Sequence, residues 1–527
     1  MTRNNLILAL SSGLLLAAGW PVYGIPLLLF VAFVPLLLAE RNIRLSGTGR
    51  KGLKVFGHAY LTFLIWNAVT TWWIWYSTAF GMFFAILVNT LLMTLVFWGY
   101  HLLARKLPPK IHLVFLPALW ISFEKFHLNW DFSWPWLNLG NAFSEYPAWI
   151  QWYEYTGTFG GSLWIWMVNI GLFAAVWSFR ESGHKSRLAR GVGKNVLLVA
   201  LPVIVSLLMY HRYEMPEKSM EVVVLQPNID PYSEKYEIDN AAMAARLVEL
   251  ASGYADGHTD YVIAPETALS SGADIDGFAR SRARYLLQEL PRRYPGLDVI
   301  VGGDFYRKYP GPGKPTPTAN RIGGGWYDAY NAAVQIDNTD NLQFYIKSKL
   351  VVGVENLPFK AVLEPLLGNI MIDLGGTVVS RATQPEPSVF TGKAGKAAPI
   401  ICYESIYGEY VAGYVRKGAD FLTVITNDGW WSNSQGHKQH LSYARLRAIE
   451  TRRSVARSAN TGISAFINPR GDVLQTLAYA SEGALKGKVV LNEEQTFYVR
   501  YGDLIARISV LVAGLLVLYG IGRKKGV

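Results

Sequence analysis

At 527 residues the chain is long enough for several domains, but 51% hydrophobic residues and 18 tryptophans are more than a soluble protein of this size carries. A formal net charge of +11 would suit a nucleic-acid binder, yet much of the excess Lys and Arg lies in short loops between apolar runs, so nucleic acid is not expected as a partner. A single cysteine excludes an internal disulfide framework.

Apolar runs close to bilayer length start at the N-terminus and fall at about 5–20, 23–39, 56–76, 79–103, 111–123, 162–177 and 195–210, with an eighth at 504–521. So many runs with so few charges exceed what buried helices of a soluble core need. Arg3 ahead of a short apolar stretch allows a cleaved signal peptide for the first run. However, "GWPVYGIPLLLFVAFVPLLLAE" leads straight into the next run without a polar start, as the first helix of a hairpin would. Basic residues mark every second connection: Arg3, then Arg41, Arg44, Arg50, Lys51 and Lys54, then Arg105, Lys106 and Lys110, then Arg180, Lys185, Arg187, Arg190 and Lys194, and finally Arg523, Lys524 and Lys525. "WPVYG" and "STAFG" on the other side carry no charge. Basic loops stay cytoplasmic, so the expected arrangement is a polytopic α-helical membrane domain of about eight helices with both termini in the cytoplasm. The expected divisions are 1–210 with seven helices, an extracytoplasmic domain at 211–503, and a last helix with a basic tail at 504–527.

The outer block has charges, turn residues and short β-branched runs. "MEVVVLQPNI", "DYVIAPET", "LDVIVGGDF", "YNAAVQI", "PIICYES", "DFLTVITND" and "SAFINPRGD" read as strands. Between them "NAAMAARLVELASGY", "DGFARSRARYLLQEL" and "HKQHLSYARLRAIETRR" have helical spacing, so an α/β domain is expected. "GPGKPTPTANRIGGG" reads as an exposed loop. The aromatic stretches "NAVTTWWIWYSTAF" and "FHLNWDFSWPWLNLG" fit either an interfacial belt or a substrate floor.

The lone thiol, Cys402, ends a strand-like run and opens into "YESIYGEY", where a nucleophile can be presented to a cleft. A reactive thiol needs a base and a cation nearby. Glu266 lies just beyond the run "YVIA", and Lys347 and Lys349 end another strand with Glu355 soon after. Taken singly, each has an ordinary structural reading: an inert buried Cys, a capping carboxylate, an edge-strand lysine. All three at strand ends of one α/β block is a far rarer coincidence.

The order "APET", "KSKLVVGVE" and "ICYES" resembles the Glu, Lys and Cys triad of the carbon-nitrogen hydrolase (nitrilase) superfamily. With membrane segments on both sides, the chain is similar to the apolipoprotein N-acyltransferase family of bacterial inner membranes, a likeness that also takes in "VLQPNID" and "ITNDGWWSNSQGHKQHLSYARLRAIETRRSVARSANTG". The resemblance implies a nitrilase-like αββα sandwich in the periplasm, Cys402 as nucleophile, Glu266 as general base and Lys347 as oxyanion cation. Lys347 is preferred to Lys349 because it keeps the family's spacing to Glu355, which would orient the triad. Glu404, Tyr403, Asn427 and Trp430 would line the pocket, with Tyr236 on a lid. The chain departs from the family's common "LVPFGE", "KW" and "NDAWFG" in having "LVVGVE", Lys235 with Tyr236, and "NDGWWSNS".

The implied reaction takes an acyl chain from a membrane phospholipid, holds it as a Cys402 thioester, and passes it to the α-amine of a diacylglyceryl-cysteine on an apolipoprotein. No cofactor is expected, a single chain is expected to suffice, and "HKQH" lacks the third ligand of a metal site. A membrane-tethered amidase would use the same triad with water as acceptor. A transporter or receptor would place ionisable residues inside the spans, where only His58, His101 and Glu124 come near.

Overall fold

The computed structural model describes residues 3–47, 49–108, 111–356 and 380–522. Two compact units emerge, one comprising Met1–Ile74, Gly81–Arg212 and Asp503–Val527, the other Trp75–Phe80 and Tyr213–Gly502. Of the basic loop residues, Lys110, Arg523, Lys524 and Lys525 lie outside the described residues.

Every expected apolar run falls on helix. The helices are Arg3–Ala18, the composite Pro26–Leu45, Lys51–Thr71, Ala79–Ala104, Ile111–His127, Thr158–Ser182, Lys185–Arg212 and Leu504–Gly522. Among the described residues five of these have the length and apolar content to cross a membrane: Pro26–Leu45, Ala79–Ala104, Thr158–Ser182, Lys185–Arg212 and Leu504–Gly522. Leu197, Leu201, Leu511 and Leu515 are exposed on the last two, an outward apolar face that suits lipid. Several of the unit's buried polar groups are paired internally, as a hydrocarbon surrounding favours. Glu124 accepts from Trp120 Nε1 (3.1 Å), Ser162 Oγ (2.6 Å) and the Leu139 amide (2.8 Å), tying three segments together. Asn89 donates to Asn67 at 2.7 Å.

In the second unit β-branched runs form two sheets. The strands are β1 (Ser219–Gln226), β2 (Thr259–Ile263), β3 (Leu269–Asp274), β4 (Asp298–Tyr309), β5 (Asn320–Ile322), β6 (Gly325–Ile336), β7 (Leu342–Ile346), β8 (Phe390–Thr391), β9 (Lys396–Ile401), β10 (Phe421–Thr426), β11 (Val455–Ala459), β12 (Ser464–Ile467), β13 (Val473–Leu477) and β14 (Gly483–Val490). One sheet runs β14-β1-β2-β4-β6-β5, with β3 on β4 and β7 on β6. The other runs β13-β12-β11-β10-β9-β8. β1, β2 and β4 are mutually parallel, as are β9, β10 and β11.

The period of two decides the layering. Val222, Val224, Ile263 and Ile300 pack in one core with Ala397, Ile401 and Ile425 of the other sheet. Val223, Leu225, Val262 and Val299 face the opposite way, against Leu247, Leu287 and Leu290 of the helices Asn240–Ser252, Arg282–Leu287 and Glu289–Arg293. Helices Gly408–Arg416 and Gln435–Thr451 bury Val411, Val415, Ala444 and Ala448 in the inter-sheet core cluster. Two sheets and their helices give the αββα arrangement.

Two local expectations are corrected. The expected loop at 311–325 contains β5, because Asn320–Ile322 turns back antiparallel onto β6. The single helix expected at 276–290 is three short pieces, Phe278–Arg280, Arg282–Leu287 and Glu289–Arg293, restarted where the Ser281 side chain caps the Arg284 amide.

Ile400 is fully buried in the core cluster of the second sheet, whereas Leu474 on β13 is exposed. Ile400→Ala is therefore expected to cost about 2–5 kcal/mol in denaturant unfolding, against less than about 0.5 kcal/mol for Leu474→Ala. Equal losses would overturn the layering.

Candidate active site

Parallel strands deliver their carboxyl ends to one edge, and loops leaving that edge converge. Cys402 follows β9 directly, Asn427 follows β10, Lys347 follows β7, and Glu266 stands three residues beyond β2. Gly302 on β4 allows the Glu266 loop to come this close: a Cβ there would stand 2.7 Å from the Glu266 Cα and from the Pro265 carbonyl oxygen.

Lys347 is the hub. Its ammonium lies 2.9 Å from Glu266 Oε1 and 2.8 Å from Glu355 Oε2, and all three residues are buried. Asn331, on β6, closes the set by donating from Nδ2 to Glu266 Oε1 and to Glu355 Oε1, each at 2.8 Å. The Asn427 amide donates to Glu266 Oε2 at 3.1 Å, and the Val351 amide to Glu355 Oε2 at 2.9 Å. Burial works against the Lys347 charge, but Glu266 and Glu355 outweigh it and hold the ammonium above the ordinary lysine range. Burial likewise works against ionised Glu355, and Lys347 and Arg381 together keep its carboxyl below the usual value.

Cys402 is buried and has a left-handed backbone at φ 50°, and Thr267, next to Glu266, has φ 47°. Non-glycine residues held this way store about 1–3 kcal/mol each, and such strain gathers where a side chain must be aimed. Burial raises the thiol well above its usual range, Glu266 adds to this, and Lys347 opposes it. The resting sulfur is therefore protonated, and attack requires a base.

Behind the sulfur stands a second polar group that the sequence reading missed. Asp428 Oδ1 is 2.7 Å from Thr426 Oγ1 and 3.0 Å from His440 Nδ1, while its Oδ2 accepts from Arg457 at 2.5 Å. His440 Nε2 lies 3.1 Å from the Cys402 carbonyl oxygen and 2.9 Å from Ser405 Oγ. Cys402, Asp428 and His440 bring ligand-type atoms within 4.8 Å of one another. The Arg457 guanidinium already neutralises Asp428, so the donor set suits an internal ion pair better than a metal ion.

The remaining expected residues separate. Glu404 is fully buried and braces two loops: its Oε1 accepts from the Tyr345 hydroxyl (2.5 Å) and the Ser348 amide (2.7 Å), its Oε2 from the Ile401 amide (2.9 Å). Burial pushes its carboxyl up to about 7 against those donors. It thus ties the Lys347 loop to the Cys402 turn. Tyr403 is buried edge-on to Tyr407, with ring centroids 5.3 Å apart. Asn427 adds its side-chain oxygen to an Asn460 contact at 3.1 Å. Trp430 packs edge-on against Tyr232 at 5.1 Å, and Tyr236 is 58% exposed. Lys349 stands over Tyr407 and Tyr410, away from the two carboxylates that Lys347 joins.

Comparison with known proteins adds the family context. Residues 221–498 match the carbon-nitrogen hydrolase family, and residues 12–171 match the apolipoprotein N-acyltransferase N-terminal domain. An apolipoprotein N-acyltransferase of Chlorobaculum tepidum is 28% identical over 98% of this chain and 97% of its own. One from Geobacter metallireducens is 28% identical over 99% of this chain and 96% of its own. Among solved structures, a CN-hydrolase superfamily protein of Xanthomonas campestris aligns with 59% of this chain and 99% of its own at 15% identity and a TM-score of 0.35.

Replacing Glu404 by Gln sets an amide NH₂ against donors that need an acceptor. Glu404→Gln is expected to lower stability by about 1–3 kcal/mol and to slow iodoacetamide labelling of Cys402 in the folded fraction. A variant with unchanged stability and labelling would remove the bracing role.

Proposed function

The chain belongs to the carbon-nitrogen hydrolase family, and on that premise we propose that it is a membrane-anchored N-acyltransferase acting on apolipoproteins. The observation that carries this reading is a buried Cys402 beside a Glu266–Lys347–Glu355 cluster, in a chain whose other unit is built from apolar helices.

In the first half-reaction Glu266 takes the Cys402 proton and the sulfur attacks an ester carbonyl of a phospholipid. Charge gathers on the carbonyl oxygen beside the Lys347 ammonium, which is already fixed and dry. The C–O bond breaks, the proton passes from Glu266 to the departing lysophospholipid oxygen, and a thioester remains. In the second half the neutral α-amine of an S-diacylglyceryl-cysteine attacks the thioester. Its proton returns through Glu266 to the sulfur, leaving an amide and the free thiol. Glu355 and Asn331 keep Lys347 and Glu266 in place through both halves, and Tyr236 and Trp430 frame the entrance.

Both substrates are lipid-anchored. Extracting an acyl chain into water costs about 0.8 kcal/mol per methylene, so a catalyst carried on membrane helices avoids a penalty that a soluble one would face. The topology that serves this has eight crossings, both termini in the cytoplasm of a bacterial inner membrane, and a periplasmic catalytic domain at 211–503 between membrane segments 1–210 and 504–527. Basic loops at alternate connections support it.

The test is intact-mass analysis after incubation with a defined phospholipid and no amine. The expected outcome is one added acyl mass that hydroxylamine removes, that a diacylated lipopeptide discharges, and that is lost in folded Cys402→Ser and Glu266→Gln variants. A folded protein that never takes acyl from phospholipid but hydrolyses simple amides would be an amidase instead.

A further inference from the structure

Lys235 is a buried ammonium without a counter-ion. Only 5% of the residue is exposed, and among the described residues it forms no ion pair. The other cations near Glu266 are engaged: Lys347 by Glu266 and Glu355, and Arg381 by Asp304. Lys235 instead donates to the Thr267 hydroxyl, with the Trp430 and Tyr236 ring centroids 5.6 Å and 5.8 Å from its nitrogen. Its backbone is also fixed, since the Ser270 hydroxyl donates to the Lys235 carbonyl and the Lys235 amide donates to the Asp230 carbonyl at 3.0 Å. A lysine this buried is almost always paired, because an ammonium stripped of water needs an anion or loses its proton. Burial lowers its affinity for the proton, and the more distant Asp304 and Glu266 restore only part of it.

We propose that Lys235 receives the phosphodiester of the lipid donor, making it a specificity-determining residue for glycerophospholipids over phosphate-free acyl esters; the proposal rests on the acyltransferase reading. The geometry suits that ligand. Thr267 occupies one of the three ammonium donors and follows Glu266 in the chain, so the two free N–H groups lie one residue's reach from the catalytic base. In a glycerophospholipid only a short glycerol linkage separates the reacting ester carbonyl from the phosphate. With the carbonyl at Cys402, the phosphate would fall toward the entrance, where the exposed Tyr232 and Tyr236 sit beside Trp430. An ammonium reads a phosphate as a point charge, whatever headgroup follows. The thioester half-reaction should therefore depend on the phosphate far more than on the headgroup.

The experiment measures the rate of Cys402 thioester formation by intact mass in mixed micelles, with phosphatidylethanolamine and with p-nitrophenyl palmitate as alternative donors. In Lys235→Met the phospholipid-to-ester ratio of kcat/KM should fall at least tenfold, mostly through KM, while Lys235→Arg should keep it within threefold of wild type. A ratio unchanged in Lys235→Met, with both donors slowed alike or neither slowed, would overturn the proposal. A second arm needs no variant: a non-hydrolysable diether phospholipid should inhibit ester-driven acylation of the wild type at a concentration at least tenfold lower than the matching diether glycerol. Equal inhibition would also overturn it. Failure of the acyltransferase reading looks different, because the wild type would then be acylated by the activated ester but by no phospholipid.

Discussion

Charges buried together must be held by one another where they stand, and the Lys347 ammonium shared between the Glu266 and Glu355 carboxylates is the constraint on which the second unit depends. Removing one member of such a buried set typically costs about 3–5 kcal/mol, because the partner left behind stays unsolvated. The requirement reaches outward. Lys347 comes off β7, Glu266 off β2 and Asn331 from within β6, so the first sheet must hold its register for the three groups to meet. A cation already paired and dry has little left to reorganise when negative charge develops beside it, which makes a structural necessity useful in catalysis.

The sulfur stands between two polar groups of different character. On one side two carboxylates, Glu266 and Glu355, share the Lys347 ammonium and the Asn331 amide. On the other, Asp428, Arg457 and His440 are locked among themselves, with His440 at the Cys402 carbonyl. Thr426, Ser405 and the bracing Glu404 add further ties, and together they balance the strain of a left-handed cysteine.

Much of this was legible in the chain because strongly apolar β-branched runs leave little choice of conformation. The seven expected strand segments all contain strands, and Glu266 and Cys402, at the ends of two of them, converge with Lys347 at the end of β7. What escaped shares a physical reason. β11 reads "VARSA", and nothing local says that Arg457 is buried; its partner Asp428 lies on another strand's loop. Asn331 looks like a polar interruption of a strand until β2 and β7 bring it two carboxylates. Lys235 reads in the sequence only as Tyr236's neighbour, since burial of a lysine depends on what folds over it. The bracing contacts of Glu404 could not be read locally either, because a carboxylate beside a nucleophile has the same local signature whichever way it turns.

The pairing of β1 with β14 has a consequence for how the protein is made. Eight residues of β1 lie antiparallel to eight of β14, from Ser219 opposite Val490 to Gln226 opposite Gly483. The first strand of the second unit thus waits for the last, and everything between them must leave the ribosome before that edge of the sheet closes. Contacts so distant in sequence form slowly. Meanwhile β1, with Val222, Val223, Val224 and Leu225, is an apolar edge open to wrong partners. The helix Leu504–Gly522 begins only fourteen residues after β14 ends, so closure of the sheet and arrival of the last apolar helix are nearly simultaneous events in synthesis.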